Sequence, residues 1–186
     1  MRVGPRAKLV LVAALFAAPI VASVLVYRFG HVEPTANHGE LLLPPAQVSD
    51  AAFARPDGSA FSFRSLRGRW VLVAADSGAC ENACISKLVA IRQVRLALGR
   101  NAERIVRVFV VDDGRKPDPG ALAPFEGMEV AIAPKGLAFA PGAVGDRRRV
   151  YLVDPNGNVM MRWRAMDDPG GMIKDLERLL RASQIG

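Results

Sequence analysis

Cys80 and Cys84 are the only thiols in this chain of 186 residues. A thiolate is both a nucleophile and a soft-metal ligand. A four-residue separation places two side chains on one face of a helix. Such a pair can exchange disulfides, hold a soft ion such as Cu(I), or close a disulfide in an oxidising compartment. The alternative is two small buried hydrophobes or an inert disulfide. A closed zinc site needs further ligands, and the two histidines, His31 and His38, lie far upstream. No Ser/His/Asp set, phosphate loop or paired-carboxylate site emerges.

The elements around the pair must position it. Trp70–Ala75 (WVLVAA) is a continuous apolar run, which predicts a strand covered on both faces. From Ala83 to Leu98 the apolar residues Ile85, Leu88, Val89, Ile91, Val94 and Leu98 recur at helical spacing. The cysteines therefore fall at a strand-to-helix junction. Unsatisfied amides and the helix dipole favour the thiolate there.

Around this unit, Ala52–Ala54 and Ala60–Phe63 flank the turn signal Arg55-Pro56-Asp57-Gly58 and predict a hairpin. Val106–Val111 predicts a second buried strand, followed by a Pro- and Gly-rich loop over 114–124. Val130–Ile132 reads as a short strand. Val150–Val153 and Asn158–Arg164 flank the turn Asp154-Pro155-Asn156-Gly157, and Met172–Ala182 closes the chain as an amphipathic helix. A β-α-β start implies a right-handed crossover between parallel strands. The order of elements predicts an α/β domain: a thioredoxin-like central mixed sheet flanked by helices.

The N-terminus is of another kind. Leu9 to Tyr27 contains no charged residue, and at about 1.5 Å per residue it nearly spans a hydrocarbon core of roughly 30 Å. Arg2, Arg6 and Lys8 precede it and only Arg28 follows closely. The positive-inside rule then places the N-terminus in the cytoplasm and the domain outside; the expected location is a bacterial-type inner membrane, with the domain facing the periplasm. A cleaved signal peptide is the rival reading, but its apolar core is shorter, roughly 7–15 residues. The expected division is residues 1–8 cytoplasmic, 9–27 transmembrane, 28–47 linker and 48–186 the thioredoxin-like domain. Pro34, Asn37, Gly39, Pro44 and Pro45 give the linker its tether-like composition. Both histidines lie in it and are expected to be solvated. The formal charge is +7, of which the first thirty residues carry +4. The excess belongs largely to the membrane flank, which argues against nucleic-acid binding.

The segment GRWVLVAADSGACENAC, followed by a helix and later by YLVDPNGNV, resembles the Sco/SenC proteins that help to assemble cytochrome c oxidase. C-x-x-x-C is the most specific element, since ordinary thioredoxins have C-x-x-C. Asp112-Asp113-Gly114-Arg115 stands where the family tends to have Asp-Pro-x-Arg. The resemblance covers roughly residues 48–183. It implies an extracytoplasmic assembly factor acting through Cys80 and Cys84, by thiol–disulfide exchange, by handling copper as Cu(I) or Cu(II), or by both. The implied partners are the membrane and a cytochrome c oxidase subunit or another thiol or copper protein of the envelope. A general envelope thiol–disulfide oxidoreductase and a non-catalytic adaptor are the alternatives.

The family's distal histidine ligand has no counterpart here. By ungapped counting its position is Asp146, a hard ligand that suits Cu(I) poorly, next to Arg147, Arg148 and Arg149. Glu81 and Ile85 replace the prolines that usually flank the cysteines. Met128, Met160, Met161 and Met166 offer thioethers, with core filling as their expected role. The arginines at 147–149, with Arg162 and Arg164, are expected to guard a strand edge, or else to dock an acidic partner or lipid head groups.

Overall fold

A computed structural model describes residues 4–29, 37–49, 51–140, 146–164 and 167–183. The chain divides into two compact units, Met1–Ala36 and Asn37–Gly186. The first contains helix α1, Pro5–Phe29. Its stretch Pro5–Arg28 is long and apolar enough to cross a membrane. Pro19 lies inside the helix without ending it, as membrane-spanning helices tolerate.

The second unit is one mixed sheet of eight strands in the order β1-β8-β7-β4-β5-β6-β2-β3. Three parallel strands form its centre: β4 (Trp70–Asp76), β5 (Ile105–Val111) and β6 (Met128–Ile132). Helix α2 (Asn82–Ala97) links β4 to β5. On one side, β7 (Arg149–Val153) and β8 (Asn158–Arg164) continue the sheet antiparallel. On the other, the hairpin β2 (Phe53–Ala54) and β3 (Ala60–Phe61) closes it. Helix α4 (Pro169–Ala182) packs with α2.

Alternation along the strands splits the core in two. Leu72, Ala74, Phe109, Val111 and Leu152 meet Leu88 and Ile91 of α2 and Leu176 and Leu180 of α4. Val71, Val73, Val108, Val110 and Tyr151 meet Phe53, Phe61, Phe63 and Phe139 on the opposite face. Phe53, Phe61 and Phe63 stack edge-to-face, with ring centroids 5.3–6.4 Å apart. This two-sided burial is why β4 and β5 read as unbroken apolar runs.

Three local readings need correction. Residues 40–47, expected to end the tether, form β1 (Glu40–Gln47), which pairs antiparallel with β8. Pro44 and Pro45 conceal it, because proline is tolerated only where a strand lacks a partner on one side; the register shifts between Leu41 and Ala46 accordingly. The loop over 114–124 contains one helical turn, α3 (Pro119–Leu122), begun by the Asp118 carboxylate accepting from Gly120 N–H. Helix α4 starts three residues before Met172, with Asp168 as its cap accepting from Gly171 N–H at 2.7 Å.

His38 is also not simply solvated. Its ring is half exposed, but Nδ1 lies 2.9 Å from an Asp168 carboxylate oxygen. The buried Asp175 accepts from the backbone N–H of His38 (2.9 Å) and Gly39 (2.8 Å) and from the Trp163 indole (3.0 Å). A Cβ on Gly39 would lie 2.4 Å from the Trp163 ring, so a side chain there would displace β1 from its seat. His31 and Met166 lie outside the described residues.

Candidate functional site

Cys80 and Cys84 are joined in a disulfide with Cα atoms 5.0 Å apart. Both are nearly sealed from solvent, at 5% and 2% exposure. Cys84 is the third residue of α2. Cys80 precedes the helix cap, Glu81, whose side chain makes no capping hydrogen bond. The first-turn amides of α2 therefore lack a side-chain acceptor from their cap and can act on a sulfur anion.

Cys80 has φ of +39°, the left-handed region that residues other than glycine rarely enter. A turn holds it there. Cys80 N–H donates to Ser77 O at 3.1 Å, and Ala79 N–H donates to Ser77 Oγ at 3.1 Å. Asp113, just past β5, fastens that turn from across the sheet. It accepts from the Ser77 hydroxyl at 2.6 Å and from the amides of Gly78 and Arg115, each at 3.1 Å. Gly78 runs so close to this segment that a Cβ would sit 2.3 Å from Arg115 O.

Burial alone would raise the Asp113 carboxyl. The Ser77 hydroxyl and the two amides outweigh it and bring its pKa from the ordinary 3.8 down to about 2. A depressed carboxyl contributes stability that is present above its unfolded pKa and lost as pH falls through the folded one. The turn is thus expected to loosen between about pH 4 and pH 2. Asp113→Asn should remove that acid step and cost about 2 kcal/mol at neutral pH, read from thermal unfolding across pH 2–7.

On the other flank sits Lys87, one turn beyond Cys84 and 2% exposed. It donates to Ala75 O (2.8 Å), to an Asp76 carboxylate oxygen (2.7 Å) and to Arg147 O. Burial pulls the ammonium pKa down, against the opposing pull of Asp76. Arg147 is bidentate on Asp112, at 2.9 and 2.6 Å. These bonds fasten the segment 146–149 beside the disulfide. Together Asp76, Cys84, Lys87, Asp113, Asp146 and Arg147 line part of a cleft of about 770 Å³.

Asp146, the position matched to the family's histidine, lines this cleft but is already occupied. It accepts from Arg149 Nε at 2.7 Å and from Arg148 N–H, and the Arg149 guanidinium holds its pKa low. Among the described residues no three His, Cys, Asp or Glu side chains group to hold a metal. Met161 is buried in the core, and Met128 and Met160 pack against it. Among the described residues the donor set therefore fits two thiolates and does not complete a three-ligand copper site. Sequence reasoning missed Lys87 and Asp76. Their only signal was a lysine at a core-facing helical position and an aspartate ending an apolar strand.

A buried cysteine pair between a parallel strand and a helix, in a mixed sheet covered on both faces, defines a thioredoxin-like protein. A family model described as the transmembrane-like, thioredoxin-like C-terminal domain matches residues 70–183, and the chain belongs to that family. No curated protein sequence matches it. Among solved structures, the fold is similar to that of Arabidopsis thaliana ScoI with copper bound, with a TM-score of 0.61 and 14% identity over 74% of this chain and 100% of that one. Bradyrhizobium japonicum ScoI with copper bound aligns with a TM-score of 0.56 and 20% identity, covering 72% and 99%. BsSco, described as having a disulfide switch and as a member of the Sco family of cytochrome c oxidase assembly proteins, aligns at 0.55 and 17%, covering 72% and 93%. At these identities the likeness is one of fold.

Proposed function

We propose that this chain is a membrane-tethered, extracytoplasmic thiol–disulfide exchange protein that serves cytochrome c oxidase assembly in the manner of Sco proteins. The observation that carries the reading is the Cys80–Cys84 disulfide at the uncapped start of α2. The apolar helix Pro5–Phe29 would span the membrane with its basic flank in the cytoplasm, and the unit from Asn37 would face outward.

The exchange balances as follows. A client thiolate attacks one sulfur of the Cys80–Cys84 bond. That bond breaks, a mixed disulfide forms, and the released thiolate takes up a proton. The helix N-terminus favours a released Cys80 thiolate. The client's second thiol, losing its proton, then attacks the mixed disulfide. The client leaves oxidised by two electrons and the pair stays as the dithiol. Reversal returns a client disulfide to its thiols. Two of the similar Sco structures are described with copper bound, but the described residues here do not make a three-ligand centre for that metal, so no step runs through it.

The test is the potential of the pair, measured by equilibration with defined thiol–disulfide couples. A value between about −180 and −300 mV is expected, and one far lower would mark an inert structural bridge. Anaerobic Cu(I) titration against a chelator is expected to give at most weak binding that depends on the thiols. Tight binding that vanishes in Cys80→Ser/Cys84→Ser would instead make copper the cargo.

A further inference from the structure

The arginines near the disulfide cleft fall into two conditions. Arg147 is spent on Asp112, Arg149 on Asp146 and Glu40, and Arg162 on Glu40. Arg115, Arg148 and Arg164 also line the cleft, yet their side chains are 71%, 91% and 71% exposed. The nearest carboxylate oxygens stand 3.6, 3.5 and 3.9 Å away. These are ion pairs too long for good hydrogen bonds. Among the described residues none of the three guanidinium groups donates a hydrogen bond. Nor are the neighbouring acids idle. Asp113 is engaged by Ser77 and two amides, and Asp146 by Arg149 and an amide. Of the acids lining the cleft, Asp167 and Glu81 are exposed, and a surface pair such as Arg164–Asp167 holds weakly.

Three separate segments therefore bring open guanidinium forks to one concave mouth. They come from the loop after β5, the approach to β7 and the end of β8. A guanidinium presents paired donors that match a carboxylate in two parallel bonds. We propose that Arg115, Arg148 and Arg164 form a docking rim for an acidic segment of the protein whose cysteines exchange with Cys80–Cys84. This rests on the exchange reading above and names the partner's chemistry. The concavity favours a polypeptide segment over a lipid surface, because a headgroup plane meets arginines that project from a flat or convex face. Charge of this kind acts chiefly on the rate and register of encounter.

The test uses the full chain in neutral detergent micelles and a fluorescent acidic peptide carrying serine in place of cysteine. Anisotropy should show binding about tenfold tighter than for the same peptide with Asn and Gln replacing its acids. The preference should vanish at about 0.5 M salt, where screening falls to a few Å. Arg115→Gln/Arg148→Gln/Arg164→Gln should abolish it, and Arg92→Gln/Arg100→Gln/Arg181→Gln, with the same net charge, should keep it. Equal binding of the two peptides, or equal loss in both triple variants, would overturn the rim. So would arginine-dependent binding of short-chain phosphatidylglycerol without any peptide preference. A cysteine-bearing copy of each peptide separates the two claims. If neither reduces the disulfide, exchange fails while the serine peptides still decide the rim.

Discussion

Cys80→Ser/Cys84→Ser is expected to abolish exchange while leaving the domain folded. The uncatalysed reaction should be all that remains, a loss of at least about a thousandfold, because the thiolate is the nucleophile and serine is not. The structural cost should be small. The bridge closes a loop with a separation of only four residues, and chain-entropy reasoning gives such a short loop about 2 kcal/mol. Thermal unfolding should fall by about 4–8 °C. The single variants add a trap. With Cys84→Ser, a mixed disulfide at Cys80 has no resolving thiol and should accumulate as a band sensitive to reductant. If the double variant still supports oxidase assembly in cells, the chain acts as an adaptor and its chemistry is dispensable.

Lys87→Met should be the most damaging substitution outside the pair. It deletes three hydrogen bonds at once. Asp76 keeps the Ser77 amide at 2.8 Å on one oxygen and loses the donor to the other. Arg147 comes no closer to it than 3.8 Å. Breaking a buried ion pair by removing one partner costs about 3–5 kcal/mol, since the remaining charge is stranded. Methionine recovers part of this through packing, so about 2–4 kcal/mol is expected from denaturant unfolding. The functional readout differs from the stability one. Without the bond to Arg147 O, the segment 146–149 loses the fastening that holds its backbone to α2, and protease cleavage there should rise. Asp76→Leu/Lys87→Met tests the cause. It should regain most of the lost stability, because an apolar pair of similar volume strands no charge. If the double variant is no more stable than Lys87→Met, the pairing argument fails.

The central elements were legible because each rests on short-range periodicity. Strands β4 and β5 are apolar runs, α2 and the later turns of α4 repeat at helical spacing, and the β7–β8 turn carries Asp-Pro-Asn-Gly. Strand β1 was not legible, since its two prolines and mostly exposed residues carry no alternation. Its place depends on β8, more than a hundred residues later. Lys87 was illegible for a similar reason. A lysine among apolar residues looks like a solvated helix position until the ends of β4 and the 146–149 segment supply its acceptors.

The residue order by itself determined the cysteine spacing, the strand-to-helix junction that carries it, the apolar N-terminal segment and the lack of a histidine near the pair. All are local properties of the chain. Tertiary structure alone decided that Cys80 and Cys84 are sealed beneath a turn fastened by Asp113, and that Asp146 is claimed by Arg149. It also decided which of the arginines are spent within the fold and which remain open at the cleft. The physical reason is the same throughout: a charged group's role is set by the partner opposite it, and those partners come from strands and loops that only the folded sheet brings together.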